Sequence, residues 1–353
     1  MGLRKFIGKR LINSFALIIF IIALNFLIFK LMPGDPTAYL MSAWGKESPE
    51  IRRQQQTLLQ DMWGLNQPLE IQLVKYVRNL LTWNFGTTII NREPISIALS
   101  RRMPYTLLLL GGSTVLSIII GILIGIAAIQ RRGGLFDSSS VTASLILGSL
   151  PTFWLGLVFI LFFFSTLHWF PISGGMPIWV GNYPMTWFYS VSSSASTLSV
   201  GVSLNVMEGW RLVEGFLYHA FLPLLTLTVF SVGGWLLLTR ATMLETITED
   251  YIVTARAKGL KERTVLYKHA LKNASLPLIT AAALSFGFIL SGAIITETVF
   301  TYPGLGGWIW QAIQFLDYPV LMAIFYVISL CVVVANVVAD LLYGVIDPRI
   351  KYG

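Results

Sequence analysis

Long apolar runs recur along the whole chain, at 11–31, 106–129, 141–167, 216–238, 276–296 and 319–345. At about 1.5 Å of rise per residue, each is long enough as a helix to cross roughly 30 Å of hydrocarbon. A helix satisfies its own backbone donors and acceptors, which is the condition lipid imposes on a spanning segment. The sequence therefore predicts an all-α integral membrane protein with six transmembrane helices. Composition agrees, since 55% of the 353 residues are hydrophobic and 12% charged. That leaves too little polar surface to cover a soluble core of this size.

Charge orients the helices. Arg4, Lys5, Lys9 and Arg10 precede the first run. The run is longer than a secretory h-region and ends in Met32-Pro33-Gly34-Asp35 without a small-x-small cleavage site, so it reads as a retained helix with a cytoplasmic N-terminus. Counting spans then places Arg131, Arg132, the basic stretch between the fourth and fifth runs, Arg349 and Lys351 on the same inner side. The net charge of +8 is accounted for by orientation and one basic loop, which argues against a nucleic-acid surface. The single cysteine, Cys331, falls in the last run and reads as a small core hydrophobe.

The chain divides into a tail and first span (1–32), an external segment (33–105), and a five-span core (106–353) with an external insert (168–215) and a cytoplasmic loop (239–277). In the external segment Ile51, Leu58, Leu59 and Met62 recur near a helical period, predicting an amphipathic cap. The insert, rich in Gly, Ser, Trp, Tyr and Pro, shows no period and reads as a loop. Its Trp169, Trp179, Trp187 and Trp210 sit where an interfacial belt would place them.

Chemistry is sparse. Gly45-Lys46 is followed by Glu47, and Gly259 by Leu260, so neither glycine opens a Walker A loop. His168, His219 and His269 lack ligand spacing, and neither a catalytic set nor a metal site is predicted. The glycine-rich stretch 302–307 reads as a turn outside the fifth span. Lys30, Glu297 and Asp317 lie near outer span ends, where snorkelling or a helix terminus explains them. Asp340, inside the inner end of the last run, either pairs with a neighbouring helix or lines a pathway. Without a relay of buried acids and histidines, a pore driven from outside is favoured over an ion-driven carrier.

The stretch 249–277 is the long basic polar segment of the second half, and a connector between neighbouring spans needs far fewer residues. On a helix through 250–260, Ile252, Ala255 and Gly259 fall on one side, with Arg256, Lys258 and Lys261 largely on the others. A narrow face of small residues flanked by cations suits close approach to another protein's groove, with Leu260 as an apolar plug. A solvated connector is the alternative reading of the same residues.

These residues resemble the cytoplasmic coupling loop of permease subunits of binding-protein-dependent ABC importers, in which Glu-Ala-Ala is followed after three residues by Gly and later by Ile-x-Leu-Pro. Here Val253-Thr254-Ala255 stands at the Glu-Ala-Ala position, Gly259 at the glycine, and Ala274-Ser275-Leu276-Pro277 at the closing element. Two motif residues are replaced, and the gap before Leu276-Pro277 is longer than in the common sugar-permease form. Both departures resemble the dipeptide, oligopeptide and nickel branch. Leu31-Met32-Pro33-Gly34-Asp35-Pro36, Trp63-Gly64-Leu65-Asn66-Gln67-Pro68, Leu150-Pro151-Thr152-Phe153-Trp154, Glu297-Thr298-Val299-Phe300 with Tyr302-Pro303-Gly304-Leu305-Gly306, and Tyr343-Gly344-Val345-Ile346-Asp347-Pro348-Arg349 are similar to motifs of that branch, closest to its first permease subunit.

The resemblance implies a type I ABC importer permease fold in the cell membrane, with both termini cytoplasmic. It implies a non-catalytic subunit forming half the pathway for di- or oligopeptides. The implied partners are a second permease subunit, a pair of ATPase subunits or domains that bind ATP and Mg²⁺, an extracytoplasmic solute-binding protein and membrane lipid, but no nucleic acid. No cofactor is implied in this chain. Coupling to the ATPase would fall to Ile252, Thr254, Ala255, Arg256, Ala257, Lys258, Gly259, Leu260, Arg263 and Pro277. An oligosaccharide or nickel importer of the same branch is the main alternative, and an ion-driven secondary carrier the remote one.

Overall fold

A computed structural model describes residues 3–31, 50, 57, 67–88, 92–172, 179–180, 183–184, 206–287 and 293–346. Almost all of these are helical. In chain order the helices are α1 (Leu3–Leu31), α2 (Leu69–Leu81), α3 (Ile95–Gln130), α4 (Leu135–Ser149), α5 (Thr152–Phe159, continued by a π-helical stretch Ile160–Thr166), α6 (Val206–Thr246) and α7 (Asp250–Ala257). A turn at Glu262–Thr264 and a π-helical stretch Val265–Ala270 then lead into α8 (Leu271–Gly287). They are followed by α9 (Ile294–Val299), α10 (Leu305–Gln314) and α11 (Tyr318–Ile346). Two-residue strands, β1 (Trp179–Val180) and β2 (Tyr183–Pro184), pair antiparallel within the insert.

Among the described residues, the segments Ile95–Gln130, Leu217–Thr246 and Tyr318–Val338 are each long and apolar enough to cross a membrane. The run expected as one span over 141–167 is different. It begins at Leu135 and bends by 101° between Ser149 and Thr152. Pro151 supplies no N–H and pushes Leu150 out of the helical region, and Leu150 is extended at φ −79°, ψ 140°. The run expected over 276–296 is likewise not one helix, because α8 is described over Leu271–Gly287 and non-helical Ala293, at φ −97°, ψ 67°, precedes the short α9. The helix of the fourth run already includes Val206, within the stretch expected to be loop. Val206, Trp210, Val213 and Leu217 recur at helical spacing, a signal masked by the Ser-rich residues before them.

Glycines set the pairing of α3 with α6. A Cβ added at Gly121 would lie 2.4 Å from the Trp235 Cβ, one at Gly125 would lie 2.7 Å from the Thr239 Cβ, and one at Gly112 would lie 3.2 Å from Leu224. Positions rise together on both helices, so α3 and α6 run parallel with their backbones in close approach, as small residues permit inside membranes. Helix α4 runs antiparallel to α6, since Asp137 pairs with Arg240 and Ser144 faces Gly233. Hydroxyls inside α6 are satisfied locally. Thr226, Thr228, Thr239, Thr242 and Thr246 each donate to the carbonyl four residues earlier.

Two apolar clusters mark the ends of this bundle. One gathers the end of α1, α2, and the starts of α3 and α11, with α10 against them. There Lys30 Nζ donates to Gln72 Oε1 at 3.1 Å, and Gln72, Tyr76 and Leu80 form the buried stripe of α2. Helix α2 is the described part of the expected amphipathic cap, whereas Ile51, Leu58, Leu59 and Met62 lie outside the described residues. Asp317 caps α11, accepting from Val320 N at 3.4 Å. The other cluster, at the far ends of α3 and α6, holds the loop to which the sequence assigns coupling.

Candidate functional site

Helix α7 begins after Glu249 in extended conformation, with Asp250 in its first turn and Arg256 in its last, both favourable to the helix dipole. Gly259 ends it. At φ +73° its N–H donates to the Arg256 carbonyl at 2.9 Å, the left-handed termination that glycine adopts without steric cost. A Cβ there would meet nothing within 4 Å, so within this chain the glycine serves conformation and not close packing.

The face expected to be offered to a partner is turned the other way. Ile252 is 0% and Ala255 6% exposed, and both share a cluster with Ile129 of α3, Met243 of α6, Val265 and Leu266 of the π-helical stretch, and Ala274 of α8. The physical reason is that Ile252 is a large apolar group whose burial within its own chain is worth about 2 kcal/mol, and Ala255 is small enough to let the helix settle onto the bundle. Val253, Thr254 and Ala257 point outward, with Tyr251 at the edge. Val253 is 57% exposed, and the exposed Lys258, Leu260, Lys261 and Arg263 continue this surface. The outward face is still narrow and made of small residues flanked by cations, rotated by about half a turn from the expected one.

Arg256 does not project freely. Its Nη2 donates to Glu262 Oε1 at 2.7 Å and its Nε to Oε2 at 3.2 Å, bracing α7 against the next helical turn. That bond holds the Glu262 carboxyl below the ordinary carboxylate range and the Arg256 guanidinium above its own. Arg263 lies 5.8 Å over the Tyr267 ring. Pro277, expected to start the fifth span, instead lies exposed within α8. Asp340 lies on α11, and its side chain falls outside the described residues.

Sequence reasoning missed two polar joints. At the end shared with α7, Arg240 forks onto Asp137, with Nε to Oδ1 at 2.7 Å and Nη2 to Oδ2 at 2.9 Å, while Gly133 N donates to Oδ2 at 3.1 Å. At the opposite end Glu297, 0% exposed, accepts from Thr106 Oγ1 at 2.9 Å and from Gly307 N at 3.0 Å. Leu305 N in turn donates to Thr106 Oγ1 at 2.7 Å. The glycine-rich turn therefore directs its amides at the chain's own Thr106 and Glu297. Glu297 is a buried anchor for that turn, a different role from the helix-terminus acid expected. Glu297 had a sequence signal, an acid beside a long apolar run, whereas Asp137 stands among Arg131, Arg132, two glycines and three serines and carried none.

Comparison with known proteins bears on the whole chain. Residues 117–352 match the family described as binding-protein-dependent transport system inner membrane component, and residues 3–110 match its N-terminal membrane-component counterpart. The chain is 34% identical over 348 residues to the oligopeptide transport system permease protein AppB of Bacillus subtilis (strain 168), covering 98% of this chain and 99% of that protein. It is 34% identical over 348 residues to the di/tripeptide transport system permease protein DppB of Pseudomonas aeruginosa (strain UCBPP-PA14), covering 99% of each. With the glutathione transport system permease protein GsiC of Salmonella paratyphi A (strain ATCC 9150 / SARB42) the identity is 32% over 348 residues, again covering 99% of each.

Proposed function

The chain belongs to the family of binding-protein-dependent transport system inner membrane components, and on that premise we propose that it is the permease subunit of an importer of di- or oligopeptides, forming half the pathway. It is a multi-pass protein of the cell membrane. The observation that carries the peptide assignment is the end-to-end likeness to permeases named for oligopeptide and di/tripeptide transport.

The packing supports a six-span arrangement. Helices α3 and α6 run parallel, so the chain between them must return across the bilayer, and the bent α4–α5 pair supplies the return. Helix α8 leaves the cluster that holds α7, while α9 meets the start of α3 at the opposite end, so in this reading the chain crosses once more between them. With α1 and α11 the crossings number six, and the basic residues of 131–132 and 256–272 share the inner side, with cytoplasmic termini.

In this reading a second permease completes the pathway, an external binding protein delivers the peptide, and ATP with Mg²⁺ is held by partner ATPases. The outward face of α7, Val253, Thr254 and Ala257 with Leu260 beyond it, seats in a groove of the ATPase, and Lys258, Lys261 and Arg263 meet acidic groups at its rim. Because Ile252 and Ala255 are embedded in the bundle, a displacement of α7 reaches α3, α6 and α8 through packed side chains.

The reading is tested by reconstituting the assembled complex in proteoliposomes with its binding protein and a labelled tripeptide. Uptake requiring both ATP and the binding protein is expected. Uptake of an oligosaccharide or nickel instead of peptide would reassign the substrate within the branch, and ATP-independent uptake by the chain alone would indicate a carrier.

A further inference from the structure

We propose that the Asp137–Arg240 pair is the positioning device that makes α4 move together with the coupling segment, carrying its displacement into the bent α4–α5 return span. The inference rests on the importer reading above, in which α7 is the segment moved by the ATPase.

One carboxylate ties three pieces of chain. Asp137 sits in the first turn of α4, favourably placed at the helix N-terminus. It accepts from Gly133 N in the α3–α4 turn, where Gly133 has φ +74°, and from both arms of Arg240 on α6. The Asp137 side chain is 5% and that of Arg240 27% exposed, so the pair is partly shielded from water, and its two-pronged geometry makes it directional. Met243, three residues beyond Arg240 on α6, lies in the cluster with Ile252 and Ala255. Arg240 is thus placed between the base of the coupling segment and α4.

Farther along α4 its packing on α6 is of a different kind. At Gly233 an added Cβ would lie 2.9 Å from the Ser144 carbonyl oxygen, a close van der Waals approach that fixes the spacing, while the Ser144 hydroxyl donates to Ser140 O of its own helix. Sliding or rotation of α4 on α6 is opposed at the Asp137–Arg240 end, where two hydrogen bonds of fixed geometry must break together.

The test uses the full transporter complex in proteoliposomes, with Asp137→Asn, Arg240→Gln, Arg240→Lys, and the exchanged pair Asp137→Arg with Arg240→Asp. Uptake of labelled tripeptide per ATP hydrolysed is the main readout. Hydrogen exchange of amides 137–148 and 250–257 on ATP binding is the second. Uptake per ATP is expected to fall roughly tenfold in the neutralised variants, within the range of ordinary coupling energies, and to return at least partly in the exchanged pair. In the parent, exchange in α4 and α7 changes together on ATP binding, and in Asp137→Asn the α4 response is lost while that of α7 persists.

Parent-like uptake per ATP in the neutralised variants, or an α4 response unchanged in Asp137→Asn, would overturn the proposal. Should neutralisation leave no assembled complex, Arg240→Lys keeps the charge and gives up the fork, and parent-like coupling in that variant would overturn it as well. A parent complex that transports without ATP would instead remove the importer reading itself.

Discussion

Thr106 and Glu297 stand 191 positions apart in the chain and meet through a 2.9 Å hydrogen bond with both residues fully buried. The bond joins the segment matched by the N-terminal family description to the segment matched by the inner-membrane component, so the two matched regions are packed as one body at the end where α3 begins. Removing the carboxylate in Glu297→Ala leaves the Thr106 hydroxyl and the Gly307 amide without that acceptor, at an expected cost of about 2 kcal/mol or more. Gly304→Ala places a methyl 2.4 Å from the same carboxylate and is expected to cost about 1–3 kcal/mol. Thermal unfolding of the purified complex checks both, and an unchanged midpoint in either variant contradicts the anchoring role.

Glycines at 111 and 121 lie on the same helix and should respond with opposite sign. Alanine normally stabilises a helix interior by about 0.5–1 kcal/mol over glycine, and nothing lies within 4 Å of a Cβ added at Gly111. At Gly121 the added methyl meets Trp235 at 2.4 Å and the Val232 carbonyl at 3.0 Å, so α3 and α6 must separate. Gly111→Ala is expected to leave the unfolding midpoint equal or higher, and Gly121→Ala to lower it and reduce assembly.

At Gly259 backbone conformation should govern tolerance. Left-handed geometry costs most residues roughly 1–2 kcal/mol and Asn less. Uptake is expected to fall in the order Gly, Asn, Ala, Val. An order set by side-chain charge or volume alone would instead place Gly259 on a packed interface.

The Arg256–Glu262 brace is largely exposed, so Arg256→Ala should cost less than about 1 kcal/mol. The folded-state carboxyl titrates below its ordinary value, so the contribution is present above the unfolded value and is lost as pH falls through the lowered one. The parent and Arg256→Ala should therefore differ slightly at neutral pH and converge in acid, as followed by unfolding midpoints. A difference that grows on acidification contradicts this.

How much of this was legible in the sequence follows from what each signal encodes. Apolar runs mark the apolar cores of α3, α6 and α11, because lipid demands length and hydrophobicity and little else, but they miss the more polar turns by which α3 reaches back to Ile95 and α6 to Val206. The break at Leu150-Pro151 lay in plain view, but an apolar run on both sides of it concealed the bend. Polarity and motif mark the segment proposed to couple, but they do not encode its rotation. Ile252 and Ala255 show the same periodicity whether they meet a partner or the chain's own Ile129 and Met243, and only the tertiary arrangement decides. The joints at Asp137–Arg240 and Thr106–Glu297 each depend on partners more than a hundred positions away, which local pattern does not carry.

In the proposed transporter the coupling segment presents Val253, Thr254 and Ala257 outward while Ile252 and Ala255 are held within the bundle. Cysteines introduced singly at these positions, with Cys331→Ala as background, can be cross-linked to the ATPase subunit in the assembled transporter. Efficient cross-linking from Val253→Cys, Thr254→Cys and Ala257→Cys, with little from Ile252→Cys and Ala255→Cys, is the predicted result. Cross-linking chiefly from positions 252 and 255 would contradict it.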